Sequence, residues 1–124
     1  MVLLPEDPDG SAERIRARLR ELTGRSVAVL VTDSFGRAWR EGTTDVAIGA
    51  AGLRVLNDLH GERDPLGYEL HATTIAVADE IAGAAELVMG KLARVPVAVV
   101  RGLDLAGSGK GKNLVMPAER DLFR

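Results

Sequence analysis

Val31-Thr-Asp-Ser-Phe-Gly-Arg-Ala-Trp-Arg-Glu-Gly-Thr-Thr-Asp-Val-Ala-Ile-Gly49 is the stretch on which the reading of this chain turns. An apolar, strand-forming run over residues 27–31 ends in Asp33-Ser34, and a charged turn follows with Arg37, Arg40, Glu41 and the only tryptophan, Trp39. Two readings fit that pattern. Either Asp33 caps a solvated loop, or the strand end is a working surface, because loops at strand ends carry much of protein function.

Outward from this stretch, Ser26 to Val31 reads as a strand buried on both faces. Upstream, residues 5–10 form a turn by composition. Ser11 then N-caps a helix of about twelve residues, with Ile15, Leu19 and Leu22 on one face and Gly24 as its stop. The opening Met1-Val-Leu-Leu resembles the end of a strand. Downstream, Val46 to Leu56 predicts a second strand, broken by Gly49 and Gly52. Residues 57–67 form a polar connection, and the alternation from Tyr68 to Thr74 predicts a half-exposed strand. From about Ile75 the period becomes helical, with Val77, Ile81, Ala84, Val88 and Leu92 on one face and a flat small-residue surface at residues 82–85. Residues 94–101 predict another buried strand, residues 102–113 a mobile loop, and residues 117–123 a short final helix. The order predicts an α/β fold, a mixed sheet with covering helices, formed as one domain over residues 1–124.

Composition narrows the function. With 124 residues, 46% hydrophobic and 27% charged, the chain suits one soluble domain. A net charge of −2 offers no footprint for nucleic acid. No run approaches a membrane span. The absence of cysteine excludes disulfides and thiolate metal sites, and a cytoplasmic location is the expectation.

Asp33 and Ser34 offer a carboxylate and a hydroxyl, the hard oxygen ligands that Mg²⁺ prefers; an Asx turn accounts for them as well. Arg37 and Arg40 can clamp phosphates or carboxylates through forked hydrogen bonds, or else pair with Glu41 and Asp45 on a surface. Trp39 is expected to be a packed anchor. Gly107-Ser-Gly-Lys-Gly-Lys112 does not fit the phosphate-loop pattern, so a flexible loop is the reading, with a basic flap over phosphates as the alternative. Asp79 and Glu80 complement the dipole at a helix start. Gly90 and Lys91, at the helix end, suit either dipole compensation or contact with a nucleotide phosphate. His60 and His71 lie at no metal-binding spacing.

Together Thr32-Asp-Ser-Phe-Gly-Arg-Ala-Trp-Arg-Glu-Gly, Asp45-Val-Ala-Ile-Gly-Ala-Ala-Gly, Ile75-Ala-Val-Ala-Asp-Glu-Ile-Ala, Ala85-Glu-Leu-Val-Met-Gly-Lys and Val95-Pro-Val-Ala-Val-Val-Arg-Gly resemble the coenzyme F-420 gamma-glutamyl ligase family. The resemblance runs from Leu3 to the C-terminus. It implies the gamma-glutamyl ligase fold and addition of L-glutamate to the deazaflavin F-420-0, with GTP cleaved to GDP and phosphate. Mg²⁺ or Mn²⁺ is implied, together with a monovalent cation, and an interlocked homodimer. By resemblance Asp33 and Ser34 are metal ligands; Arg37, Arg40 and Glu41 line the same catalytic pocket; Gly90 and Lys91 contact the nucleotide. The resemblance covers only the C-terminal half of such a ligase. The implied partner carboxylate of Asp33 belongs to the other half, so the isolated chain is expected to be inactive. A non-catalytic scaffold module with a residual metal or anion site is the alternative.

Overall fold

One hairpin, with one helix that precedes it in sequence and one that follows it both laid against β-strand residues 43–51, positions the site. The structure is a computed structural model that describes residues 3–122. Its elements are α1 (Pro8–Thr23), β1 (Val29–Gly36), β2 (Thr43–Ala51), β3 (Asn57–Asp58), β4 (Thr74–Ile75) and α2 (Val77–Met89), followed by 3-10 turns at Gly111–Leu114 and Ala118–Arg120. The architecture is mixed α/β, with β1 antiparallel to β2 and β3 antiparallel to β4.

The strand that carries Asp33 does not stop there. β1 continues to Gly36 and pairs with β2 from Val29↔Ala51 to Gly36↔Thr43, so Asp33 and Ser34 lie inside a ladder and residues 37–42 form the hairpin loop. The register shifts between Val31 and Thr32, whose partners are Gly49 and Ala47; Ile48 is thus the extra residue of a bulge. β1 is half-buried at its start and exposed from Asp33 onward, and Val27 remains exposed, so the expected strand buried on both faces is instead half-covered.

Along β2, Asp45, Ala47, Gly49 and Ala51 form the buried face, where the small residues let the helices approach closely. α1 starts earlier than its sequence implied. Asp7, not Ser11, caps it by accepting the Gly10 N–H at 2.9 Å; Pro8 sits at the first helical position, and Gly24 closes the helix at φ 69°. The helix packs through Pro8, Ala12 and Arg16, one turn apart. A methyl group on Gly49 would meet Pro8, and one on Gly52 would meet Arg16. The expected apolar stripe turns away from the sheet: Ile15 and Leu22 are 47% and 64% exposed. In α2 the buried positions are Ala78 and Ala82, with Ile81 packed beside the core, whereas Val88 is 71% exposed and Leu92 lies beyond the helix. The small-residue surface does pack closely, since a Cβ on Gly83 would come 3.2 Å from the Thr44 hydroxyl.

Each helix is pinned to β2 by a carboxylate from its first turn. Asp79 accepts the Ala47 N–H at 2.9 Å, and Asp9 accepts the Ala50 N–H at 2.9 Å. Asp9 also accepts the Gly111 N–H at 2.6 Å and the Lys112 N–H at 3.4 Å. Burial works against its charge, but these backbone hydrogen bonds and the nearby Lys110 ammonium outweigh it and lower the pKa. The glycine-rich segment is therefore built into the fold and is not a mobile loop. A Cβ on Gly107 would lie 2.7 Å from the Arg54 nitrogen and one on Gly109 2.8 Å from that of Val55, while one on Gly111 would meet the Ile48 carbonyl. Glycine at every second position lets this backbone lie along residues 48–55.

Four further expectations change. Residues 68–73 are irregular, with bends at His71 and Ala72 and one bridge from Glu69 to Arg63, and only Thr74–Ile75 is strand. Residues 94–101 are irregular and largely exposed, not a buried strand. The C-terminal helix is a single turn at Ala118–Arg120, with Phe123 outside the described residues. Of the opening strand, Met1 and Val2 lie outside the described residues, while Leu3 and Leu4 are exposed and belong to no strand.

Candidate functional site

The charged residues of the hairpin divide into two groups. One gathers around Lys91. Its ammonium donates to the Ser34 hydroxyl at 2.6 Å and to Asp45 Oδ1 at 2.9 Å, with Glu86 at 3.8 Å. Asp45 is opposite Ser34 in the ladder, and its second oxygen accepts from the Thr32 hydroxyl at 3.4 Å. Thr32 and Ser34, two apart, share a strand face with Asp45, so the pairing geometry itself assembles the cluster. Gly90 ends α2 with φ 59°, which turns the chain so that Lys91 reaches back over the hairpin. A lysine at this helix terminus also opposes the negative end of the dipole.

Asp45 is 5% exposed, so its charge requires a partner, and Lys91 supplies it. The Lys91 pKa is raised, chiefly by its hydrogen bond to Asp45, against partial desolvation; the charges of Asp45, Glu86 and Asp33 add to the effect. Asp45 is the residue that sequence reasoning missed, having been paired there with the arginines. Its signal lies in the alternation: it is in phase with the small residues Ala47, Gly49 and Ala51.

The second group is the hairpin tip. The Arg37 guanidinium donates to the Glu41 carbonyl at 3.3 Å, and the Arg40 N–H to the Arg37 carbonyl at 3.4 Å. Arg37, Arg40 and Glu41 are all exposed. Trp39 is 86% exposed with φ 57°, so it is not a packed anchor. Arg37 lies four positions beyond Asp33, roughly 13 Å along an extended strand. The fold thus brings Ser34, Lys91 and the field of Asp33 together, and leaves Arg37, Arg40 and Glu41 at the loop. Gly90 and Lys91 border an open surface depression shared with Arg94, Val95 and Pro96.

Asp33 and Ser34 do not form a divalent-cation site by themselves. Neighbouring residues in a strand direct their side chains to opposite faces, and the Ser34 oxygen already accepts from Lys91. Two oxygens also fall short of the six or more that a hard cation takes. No group of three or more His, Asp or Glu side chains suited to a metal occurs among the described residues. His60 and His71 are joined structurally, by a 2.6 Å contact between the His60 Nδ1 and the His71 carbonyl oxygen.

The F420-0:Gamma-glutamyl ligase family matches residues 1–102. The chain belongs to that family. Over 125 residues it is 50% identical to the coenzyme F420:L-glutamate ligase of Methanothermobacter thermautotrophicus, covering 98% of this chain and 50% of that protein. It is 45% identical over 124 residues to the ligase of that name from Methanocaldococcus jannaschii, with the same coverage. The ligase from Methanopyrus kandleri is 46% identical over 130 residues, covering all of this chain and 52% of the relative. The chain therefore spans about half the length of the curated ligase relatives it matches. No helix among the described residues is long and apolar enough to cross a membrane.

Proposed function

We propose that this chain is one part of a GTP-dependent ligase that adds L-glutamate to the deazaflavin F-420-0, built on the gamma-glutamyl ligase fold with residues 1–124 as a single domain. The observation that carries the proposal is the match to ligases at 45–50% identity along essentially the whole chain. A carboxylate is a poor electrophile. In the proposed reaction an oxygen of the acceptor carboxylate attacks the γ-phosphorus of GTP, GDP leaves, and an acyl phosphate results. The glutamate amine then attacks the acyl carbon, phosphate departs with the C–O bond electrons, the nitrogen loses a proton, and an amide remains. Such a reaction depends on positioning and on charge stabilisation around the phosphoryl group.

Within this chain, Lys91 and the hairpin arginines Arg37 and Arg40 are the cations suited to those charges, and the Asp45 carboxylate holds Lys91 against Ser34. Glu41 is assigned to the same surface, and Gly90 to the nucleotide side. Mg²⁺ or Mn²⁺ would supply further charge neutralisation, with a monovalent cation beside it. Asp33 and Ser34 contribute to that site only if other residues complete it. The full enzyme is assigned a cytoplasmic location and a homodimeric state.

The chain by itself is expected to be inactive, because among the described residues Asp33 belongs to no group of carboxylates that could hold a metal, and the arginine loop lies open. Purified protein incubated with F-420-0, glutamate, GTP and Mn²⁺ should form no glutamyl adduct by mass spectrometry; adduct formation overturns the expectation of inactivity. The second reading is a non-catalytic module, favoured by the exposure of Arg37, Arg40 and Glu41. Calorimetry with Mn²⁺ and GDP separates the two. Weak binding abolished by Asp33→Ala supports a partial ligase site, and no heat in either protein supports the module.

A further inference from the structure

Residues 92–103 stand apart from the rest of the fold. Among the described residues, none of their backbone or side-chain groups forms a hydrogen bond or ion pair within the chain. The next contact is at Asp104, whose carbonyl accepts from the Arg54 guanidinium at 3.2 Å. Unpaired backbone of this kind belongs in water if the side chains are polar. Here they are not: Val95, Val97, Val99 and Val100 are 44%, 70%, 76% and 46% exposed, and Leu92 and Leu103 are exposed as well. A β-branched, apolar segment with every peptide group unsatisfied is the physical description of a sheet strand without its neighbours. Pro96 lacks an N–H and marks the end at which pairing begins.

Other elements also expose apolar side chains: Ile15, Leu19 and Leu22 on α1, and Leu87 and Val88 on α2. A two-fold contact between copies covers one self-complementary patch. Apolar surface spread over two helices and an unpaired strand is instead what one part of a shared core exposes. In each ligase relative the matched region is accompanied by about as much chain again.

We propose that residues 94–101 become a sheet strand when a polypeptide segment equivalent to the portion of the ligase relatives that residues 1–124 do not match lays a β-strand along them. The inference rests on the ligase reading above for the identity of the partner, and on the unpaired backbone for the surface. Main-chain hydrogen bonds supply the affinity, and the alternating valines supply the register.

The test is co-expression with the unmatched portion of the Methanothermobacter thermautotrophicus ligase, followed by hydrogen exchange. In the free chain, the amides of residues 94–101 should exchange without protection. In the complex, alternate amides should slow by about a hundredfold or more. Val99→Pro and Val97→Asp, both at exposed side chains, should abolish co-purification while leaving the circular dichroism of the free chain unchanged. Leu66→Asp, at a turn position that is 94% exposed, should do neither. Four results overturn the proposal: no complex with the wild-type chain, a complex in which residues 94–101 stay unprotected, a complex indifferent to both valine variants, or self-association of the free chain that protects the segment. A protected complex without glutamate addition preserves the docking surface and removes the ligase reading.

Discussion

Removing the Asp9 carboxylate should loosen the glycine-rich segment and destabilise the hairpin core together. In Asp9→Ala the N–H groups of Ala50 and Gly111 lose their acceptor, and both residues are buried. A buried donor left unpaired costs about 1–3 kcal/mol. The third contact, to Lys112 at 3.4 Å, is long and adds little. Asp9 itself is only half-buried, so water reaches part of the vacated space and the sum falls near the low end, about 2 kcal/mol. With a urea slope of about 1–2 kcal/mol/M, the unfolding midpoint should fall by about 1–2 M. The pH dependence follows from the lowered folded-state pKa of Asp9. Its contribution is complete above the unfolded carboxyl pKa of about 3.9 and is lost as pH falls through the folded value. The gap between wild type and Asp9→Ala should therefore be full at neutral pH and shrink below about pH 4. Asp9→Asn retains one acceptor oxygen and should fall between them. Limited trypsin digestion gives a second readout, with cleavage after Lys110 and Lys112 accelerating in the alanine variant. Equal midpoints at neutral pH, or a gap that persists unchanged in acid, would refute the assignment of Asp9 as the pin.

Gly109→Ala and Gly111→Ala should each cost about 1–3 kcal/mol in thermal unfolding, because their methyl groups meet backbone, whereas Gly36→Ala, with open space around it, should be nearly neutral. Asp45→Asn should lower the raised Lys91 pKa toward the ordinary lysine value, visible in an NMR titration of the side chain. Because the folded-state pKa of Lys91 is raised, its contribution is present at neutral pH and lost only as pH rises through that value, so neutral-range stability should not change slope with this group. Trp39 should show the emission of a water-exposed indole and full quenching by acrylamide; a blue-shifted, protected indole would contradict the open hairpin loop.

Helix α1 and its glycine stop were legible because each is encoded over a few residues, Gly24 adopting the left-handed conformation that ends a helix. The two strands at residues 29–51 were legible as apolar runs, but their bounds and one-sided burial were not. Family membership was legible for a similar reason, through runs of consecutive residues. The details that locate the site were not. Asp7 replaced Ser11 as the cap because Pro8 is ideal at the first helical position. The Ile15–Leu19–Leu22 stripe indicated an apolar face, yet the helix packs through Pro8 and Ala12, since only small contacts admit the close approach to Gly49. Residues 94–101 carry the hydrophobic pattern of a strand, and a pattern does not contain the neighbour that would complete it.

What the sequence determined alone is local: helix periods, turn glycines, the carboxylate and hydroxyl at residues 33 and 34, and the motifs shared with the ligases. Tertiary structure decided which charges meet. Register placed Asp45 opposite Ser34, and the turn at Gly90 returned Lys91 to both, while the same hairpin carried Arg37, Arg40 and Glu41 to its far end. Those contacts span 46 and 57 positions along the chain. Separations of that size are set by how strands pair and helices pack, and no window of sequence holds both partners.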